Sequence, residues 1–178
     1  MLAEVQMTIP LADQSFTQVS AFYRALSTVA FTLIGLWWIV LQFRHDEWAG
    51  NLARRRENYL VLLGFLLPGA ASFFAAVADQ GWIWRSGFAA AGVVGLLAMT
   101  VFATAVEEGG ANAVGKRVFR FLSAPVYAAV VAIAITNDLP QKLGIDITPR
   151  ELEALLATVL IVFGVQIAWL QFSAPVED

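Results

Sequence analysis

The residues of this chain that could do metal or acid–base chemistry are few. The one histidine, His45, is followed by Asp46 and Glu47, and a second acidic pair, Glu107 and Glu108, lies in another charged stretch. An imidazole with several carboxylates can hold a divalent cation. The spacing fits no metal or hydrolase motif, however, and Arg54, Arg55 and Arg56 stand ready as partners for these acids. They read as solvated loop charges, with no metal site and no catalytic residue. The chain contains no cysteine, which removes disulfides, thiolate zinc sites and iron–sulfur clusters. It has no glycine-rich phosphate loop and no nucleophile elbow. Neither enzyme activity nor a cofactor is expected.

Uncharged polar residues form a clearer pattern. Wound at about 100° per residue, Asp13, Gln14, Thr17, Ala21, Arg24, Thr28, Thr32, Gly35 and Gln42 fall on one stripe, interrupted only by Ile39. The opposite face carries Val19, Phe22, Tyr23, Leu26, Ala30, Leu33, Ile34, Trp37, Val40 and Leu41. This predicts one amphipathic helix from about residue 11 to 43. Thr28, Thr32, Gly35 and Gln42, with Gln166 further on, either offer oxygens to a passing ion or solute or hydrogen-bond to a neighbouring helix; the packing reading is preferred. Gly87, Ala91 and Gly95, four residues apart, form a groove for another backbone. Gly35 with Leu41-Gln42-Phe43 recurs as Gly164 with Leu170-Gln171-Phe172, a match ascribed to chance in so biased a composition.

The elements that carry these residues follow from where charge is missing. Of 178 residues, 59% are hydrophobic and 14% charged, against about 45–50% and about 25% in a soluble domain. Stretches 25–43, 58–78, 86–106, 121–137 and 154–176 hold no Asp, Glu, Lys or Arg. A soluble helix needs a polar face and a disordered chain needs charge, so both classes are excluded. Crossing a bilayer takes roughly 20 helical residues, and barrel strands would alternate instead of running continuously apolar. The expected fold is all-α, a polytopic membrane bundle of five transmembrane helices forming one domain over residues 1–178, with spans near 22–43, 58–78, 86–106, 120–137 and 151–173. The acidic residues ahead of the first span do not resemble a cleavable signal, so that span is expected to stay. Thr148-Pro149-Arg150-Glu151 is a capping box with proline at the first helical position. Pro68 is expected to kink its helix, and Pro125 to sit in a first turn or a mild kink.

Basic residues orient the bundle. Arg44, Arg54, Arg55, Arg56, Lys116, Arg117 and Arg120 share one side, and Arg24, Arg85, Lys142 and Arg150 the other. The first side reads as cytoplasmic, which places the N-terminus outside and the C-terminus inside. The outer side then carries the whole net charge of −3, and Asp79, Asp138 and Asp146 could form an acidic mouth for cations. Tryptophans near the span ends read as interfacial belts. With Asp138, Arg150 and Glu153 assigned to loops, no ionisable residue is expected within a span, which argues against a carboxylate proton relay; lysines confined to loops exclude a retinal Schiff base. The charge gives no footprint for nucleic acid. The expected role is a non-catalytic subunit or scaffold of the cell membrane, embedded in lipid and assembled with copies of itself or other membrane subunits. The alternative is a homo-oligomeric channel or small-solute transporter lined by the first helix.

Overall fold

The structure is a computed structural model; it describes residues 11–78, 80–101, 113–136 and 138–173, all helix, turn or loop. In chain order the helices are α1 (Leu11–Phe43), α2 (His45–Ala49), α3 (Leu52–Val77), α4 (Gly81–Val101), α5 (Ala113–Ile135), α6 (Leu139–Lys142) and α7 (Pro149–Phe172). The first helix runs unbroken over its 33 residues, as its periodicity predicts. The capping box is also present: Thr148 Oγ1 accepts from Glu151 N at 3.2 Å, and the Glu151 carboxylate accepts from Thr148 N at 2.8 Å. Asn51 caps α3 in the same way, its side-chain oxygen accepting from Ala53 N and Arg54 N. That cap starts α3 six residues before the expected boundary, so Arg54, Arg55 and Arg56 lie in its first turns instead of in a loop. Similarly, α4 begins at Gly81, ahead of the expected 86. Helices persist beyond the charge-free runs because backbone hydrogen bonding favours helix wherever the chain leaves water, whatever the side-chain charge.

Pro68 lies inside α3 and Pro125 inside α5, well past its first turn. Each removes a backbone N–H from the helical ladder, yet both helices continue through.

The third helix is the hub. It packs against α1, α4 and α7, while α5 closes the ring between α4 and α7. In α3 61% of the apolar window is buried, against 17% in α1, which lies at the edge of the bundle on α3 and α7. Four helices are long and apolar enough to cross a membrane: Thr17–Phe43, Leu52–Val77, Gly81–Thr100 and Pro149–Phe172. The apolar part of α5, Phe121–Ile135, is shorter.

Glycines set the helix spacing. A Cβ on Gly69 would come within 2.7 Å of Ala30 Cβ, so α1 and α3 meet there almost backbone to backbone. Gly64 and Gly164 do the same for α3 and α7, and a Cβ on Gly164 would lie 2.8 Å from the Phe65 ring. The small-residue face of α4 is used within the chain: Gly87 faces Phe74 of α3, while Gly92 and Gly95 admit the Tyr127 backbone and ring of α5.

The bundle's exterior is apolar and its interior partly polar. Phe31, Leu36, Trp38, Phe73, Leu97 and Val162 are exposed, whereas Ser20, Ser27, Asn58, Ser72, Ser123 and Glu153 are buried. That arrangement is compatible with a surround of lipid tails, because a hydrocarbon solvent removes the cost of leaving apolar side chains outside. Trp82 and Trp169 stay exposed at helix ends, as belt residues would, but Trp37 and Trp84 are core residues and correct the belt assignment.

Candidate functional site

Three helix ends receive a cation from a neighbour. None of α3, α5 or α7 has a basic residue in its last turn. A terminal carbonyl has no partner in its own helix and needs one supplied where water is scarce. Arg85 of α4 donates Nε–H to Ala134 O at 2.8 Å and an Nη–H to Ile135 O at 2.9 Å, closing α5. Arg44 donates to Phe172 O at 3.1 Å and lies over the Phe172 ring, closing α7. Arg150 donates to Ala75 O in the last turn of α3. The Trp48 indole N–H serves α1 by donating to Leu41 O at 2.9 Å.

Of these junctions, the one at Arg150 is built into the core. Tyr23 of α1 is 0% exposed and donates its hydroxyl to Arg150 O at 2.6 Å, while the Arg150 guanidinium lies 5.7 Å from the Tyr23 ring centre and reaches Ser20 Oγ at 3.4 Å. Glu153, one helical turn further along α7, is 0% exposed. Both of its carboxyl oxygens are buried without a hydrogen-bond partner, as is Ser72 Oγ of α3. Arg150 and Glu153 both lie within electrostatic reach of the Tyr23 hydroxyl. Gly64 against Gly164, and Gln171 Nε2 donating to Asn58 Oδ1, fix the antiparallel register of α3 and α7. The same register sets Glu153 level with Ala75.

This cluster corrects the expectation that the spans hold no ionisable residue. Arg150 and Glu153 read as outer-loop charges because the charge-free run begins after them. The missed signal is helical phase: Glu153, Ala157, Leu160, Ile161 and Gly164 share one buried stripe, whereas Glu151 lies off it and is used in the cap.

The expected site residues are distributed differently. Thr28, Thr32, Gly35 and Gln42 are exposed on the outer side of α1, turned away from the rest of the chain. Thr28 Oγ1 donates to Arg24 O at 2.9 Å and Thr32 Oγ1 to Thr28 O at 2.8 Å, so neither hydroxyl needs an external acceptor. Gln166 is exposed on α7. Gly35 is open whereas Gly164 is packed, so the two copies of the short sequence repeat are not equivalent. Ala91 is half-buried on α4 between Gly87 and Gly95.

Asp138 is paired with Lys142 at 2.8 Å, and that hydrogen bond holds its carboxyl below the usual carboxylate range. Asp146 is exposed, and Asp79 lies outside the described residues. His45 stands beside Asp46 at 3.4 Å and packs edge-on against Trp48; Glu107 and Glu108 also lie outside the described residues. No group of three or more metal-ligating side chains occurs among the described residues.

At the opposite end of the bundle, Glu57, Ser123, Tyr127 and Gln171 line a cleft floored by Gly64 and Gly164. It encloses about 30 Å³, room for water and not for an organic ligand. Trp37 Nε1 donates to Asn58 O at 3.3 Å beside it. Polar groups thus enter the bundle from both ends and are separated by the tight small-residue waist at Ala30, Gly69, Gly64 and Gly164.

Comparison with family models, curated proteins and solved structures finds no match for this chain.

Proposed function

We propose that this chain is a five-span protein of the cell membrane, N-terminus outside, acting as a non-catalytic helix-packing subunit or scaffold in a membrane assembly. The observation that carries this reading is Gln166, an amide placed inside the apolar run of α7 and exposed on the bundle's outer surface. An amide facing hydrocarbon without a partner costs several kcal/mol on the most apolar reference scale, so a helix outside this chain covers it. The open outer face of α1, where a Cβ on Gly35 would meet nothing within 4 Å, gives such a helix a second place to lie. The orientation is supported by Arg54, Arg55 and Arg56. They stand at the positive end of the α3 dipole, where cations disfavour the helix, so holding that end on the cytoplasmic side gives them a use.

The absence of native cysteine makes the test direct, because an introduced thiol is the sole thiol of each copy. In native-composition bilayers, Gln166→Cys is expected to form disulfide-linked dimers or crosslinks to a second subunit, whereas the exposed Trp82→Cys is not. Gln166→Leu is expected to weaken association by about 3- to 20-fold, from about 0.6–1.7 kcal/mol per interhelical hydrogen bond. Monomeric protein with no captured partner, unchanged by Gln166→Leu, would sink the proposal.

The second reading, a homo-oligomeric ion or solute pathway, is favoured by one observation, the buried Glu153 with the half-buried Arg150 one turn before it. Ionisable groups within membrane spans commonly mark such pathways. It predicts that Thr28→Val or Thr32→Leu changes flux in reconstituted vesicles while assembly persists. Equal leak from protein-containing and empty vesicles would remove it.

A further inference from the structure

We propose that Glu153 is a proton-binding site, its carboxyl neutral in the closed bundle and exchanging its proton with water at the Arg150 end of the α1, α3 and α7 interface. The inference is independent of the subunit reading above and rests on a different part of the molecule. Glu153 is the one buried Asp, Glu, Lys or Arg among the described residues, and neither of its oxygens accepts or donates a hydrogen bond. A carboxylate withdrawn from water without donors around it is strongly disfavoured, whereas the neutral acid loses only the hydration of a dipole.

The groups around it do not neutralise a carboxylate in this arrangement. The Arg150 guanidinium donates to Ala75 O and Ser20 Oγ. From α1 comes Tyr23, whose O–H is given to Arg150 O. The level of α3 next to Glu153 contributes the Ser72 hydroxyl and the Ala75 carbonyl. Tyr127, which α5 brings against α7, lies at the other end of the bundle beside Gly164. The carboxyl is nevertheless close to the helix end. Glu153 is four residues from Pro149, about 6 Å along the axis at 1.5 Å per residue, so a small opening brings it to water.

In proton release the Oε–H bond breaks, its electron pair stays on the carboxylate, and a water takes the proton as hydronium; uptake is the reverse. The nascent carboxylate lies at i+3 from Arg150, on the same helix face. It therefore draws the guanidinium from Ala75 O and loosens the tie between α7 and the end of α3. Proton occupancy and helix packing are in this way coupled through one arginine.

Infrared difference spectroscopy of the reconstituted full chain against Glu153→Gln tests this, the amide being near-isosteric with the acid. At neutral pH the wild-type protein is expected to show one carboxylic-acid C=O band that the variant lacks, and the band should shift when the film is exchanged into D2O. Identical spectra in that region, or a band unmoved by D2O, would overturn the proposal. Should the variant misfold, carboxyl-¹³C-glutamate NMR of the wild-type chain decides the same point. One acid-form glutamate signal at neutral pH supports the site, and only ionised signals refute it.

Discussion

The chain's polar residues do three different jobs, and burial separates them. Glu153 is costly where it stands, since an unpartnered buried carboxyl forfeits its hydration. Glu153→Leu is therefore expected to leave the fold intact and stabilise it by about 1–3 kcal/mol, the penalty of an unsatisfied buried polar group; thermal unfolding in detergent measures this. Tyr23→Phe should act in the other direction. Removing the hydroxyl forfeits one part-buried hydrogen bond between α1 and α7 and costs about 0.5–1.5 kcal/mol, because Arg150 O keeps its partner within the helix. Asp138 shows the surface extreme. Its lowered carboxyl value means that the pairing with Lys142 is present above the ordinary carboxylate range and is lost as the pH falls through the lowered value. Both side chains are exposed and screened by solvent, so Asp138→Asn is expected to leave the melting temperature unchanged at neutral pH.

Among the helices, stability lies in close approaches and terminal ties. Gly69 and Gly35 make a controlled pair, both helical, one against Ala30 and one facing open space. Gly35→Ala should be neutral or stabilise by up to about 1 kcal/mol through helix propensity. Gly69→Val should push α1 off α3 and destabilise by about 1–3 kcal/mol, the cost of overpacking a well-filled contact. Protease susceptibility of α1 distinguishes the two. The arginine ties make a parallel prediction. Arg85→Ala leaves two carbonyls of α5 without their charged donor and should cost about 1.5–3 kcal/mol per hydrogen bond at most, while Arg85→Lys should recover only part, because an ammonium lacks the planar fork that reaches both. Hydrogen exchange at the end of α5 would report the loss.

The whole molecule is a hub helix, α3, ringed by α1, α4 and α7, with α5 closing the ring and polar clusters entering from each end toward a waist of small residues. Much of this was legible in the sequence. Charge-free runs place the long apolar helices, 3.6-residue phase gives α1 its extent, and the threonine, proline and glutamate at 148, 149 and 151 mark where α7 begins. These are local properties, decided by solvent and by hydrogen bonds within a few residues. What the sequence could not assign is which side of each helix meets another helix. Within the chain α1 packs through Tyr23, Leu26, Ala30 and Trp37, and the stripe of Thr28, Thr32 and Gly35 stays exposed. Arg44, Arg85 and Arg150 counted as loop charges, yet each closes the end of another helix. Glu153 passed for a solvated acid, yet the antiparallel register of α3 and α7 encloses it. The sequence by itself determined that these segments are helices too apolar for water. Only the tertiary structure decided which polar groups those helices enclose, because burial depends on contacts between residues far apart in the chain, and a residue's own type and near neighbours do not encode them.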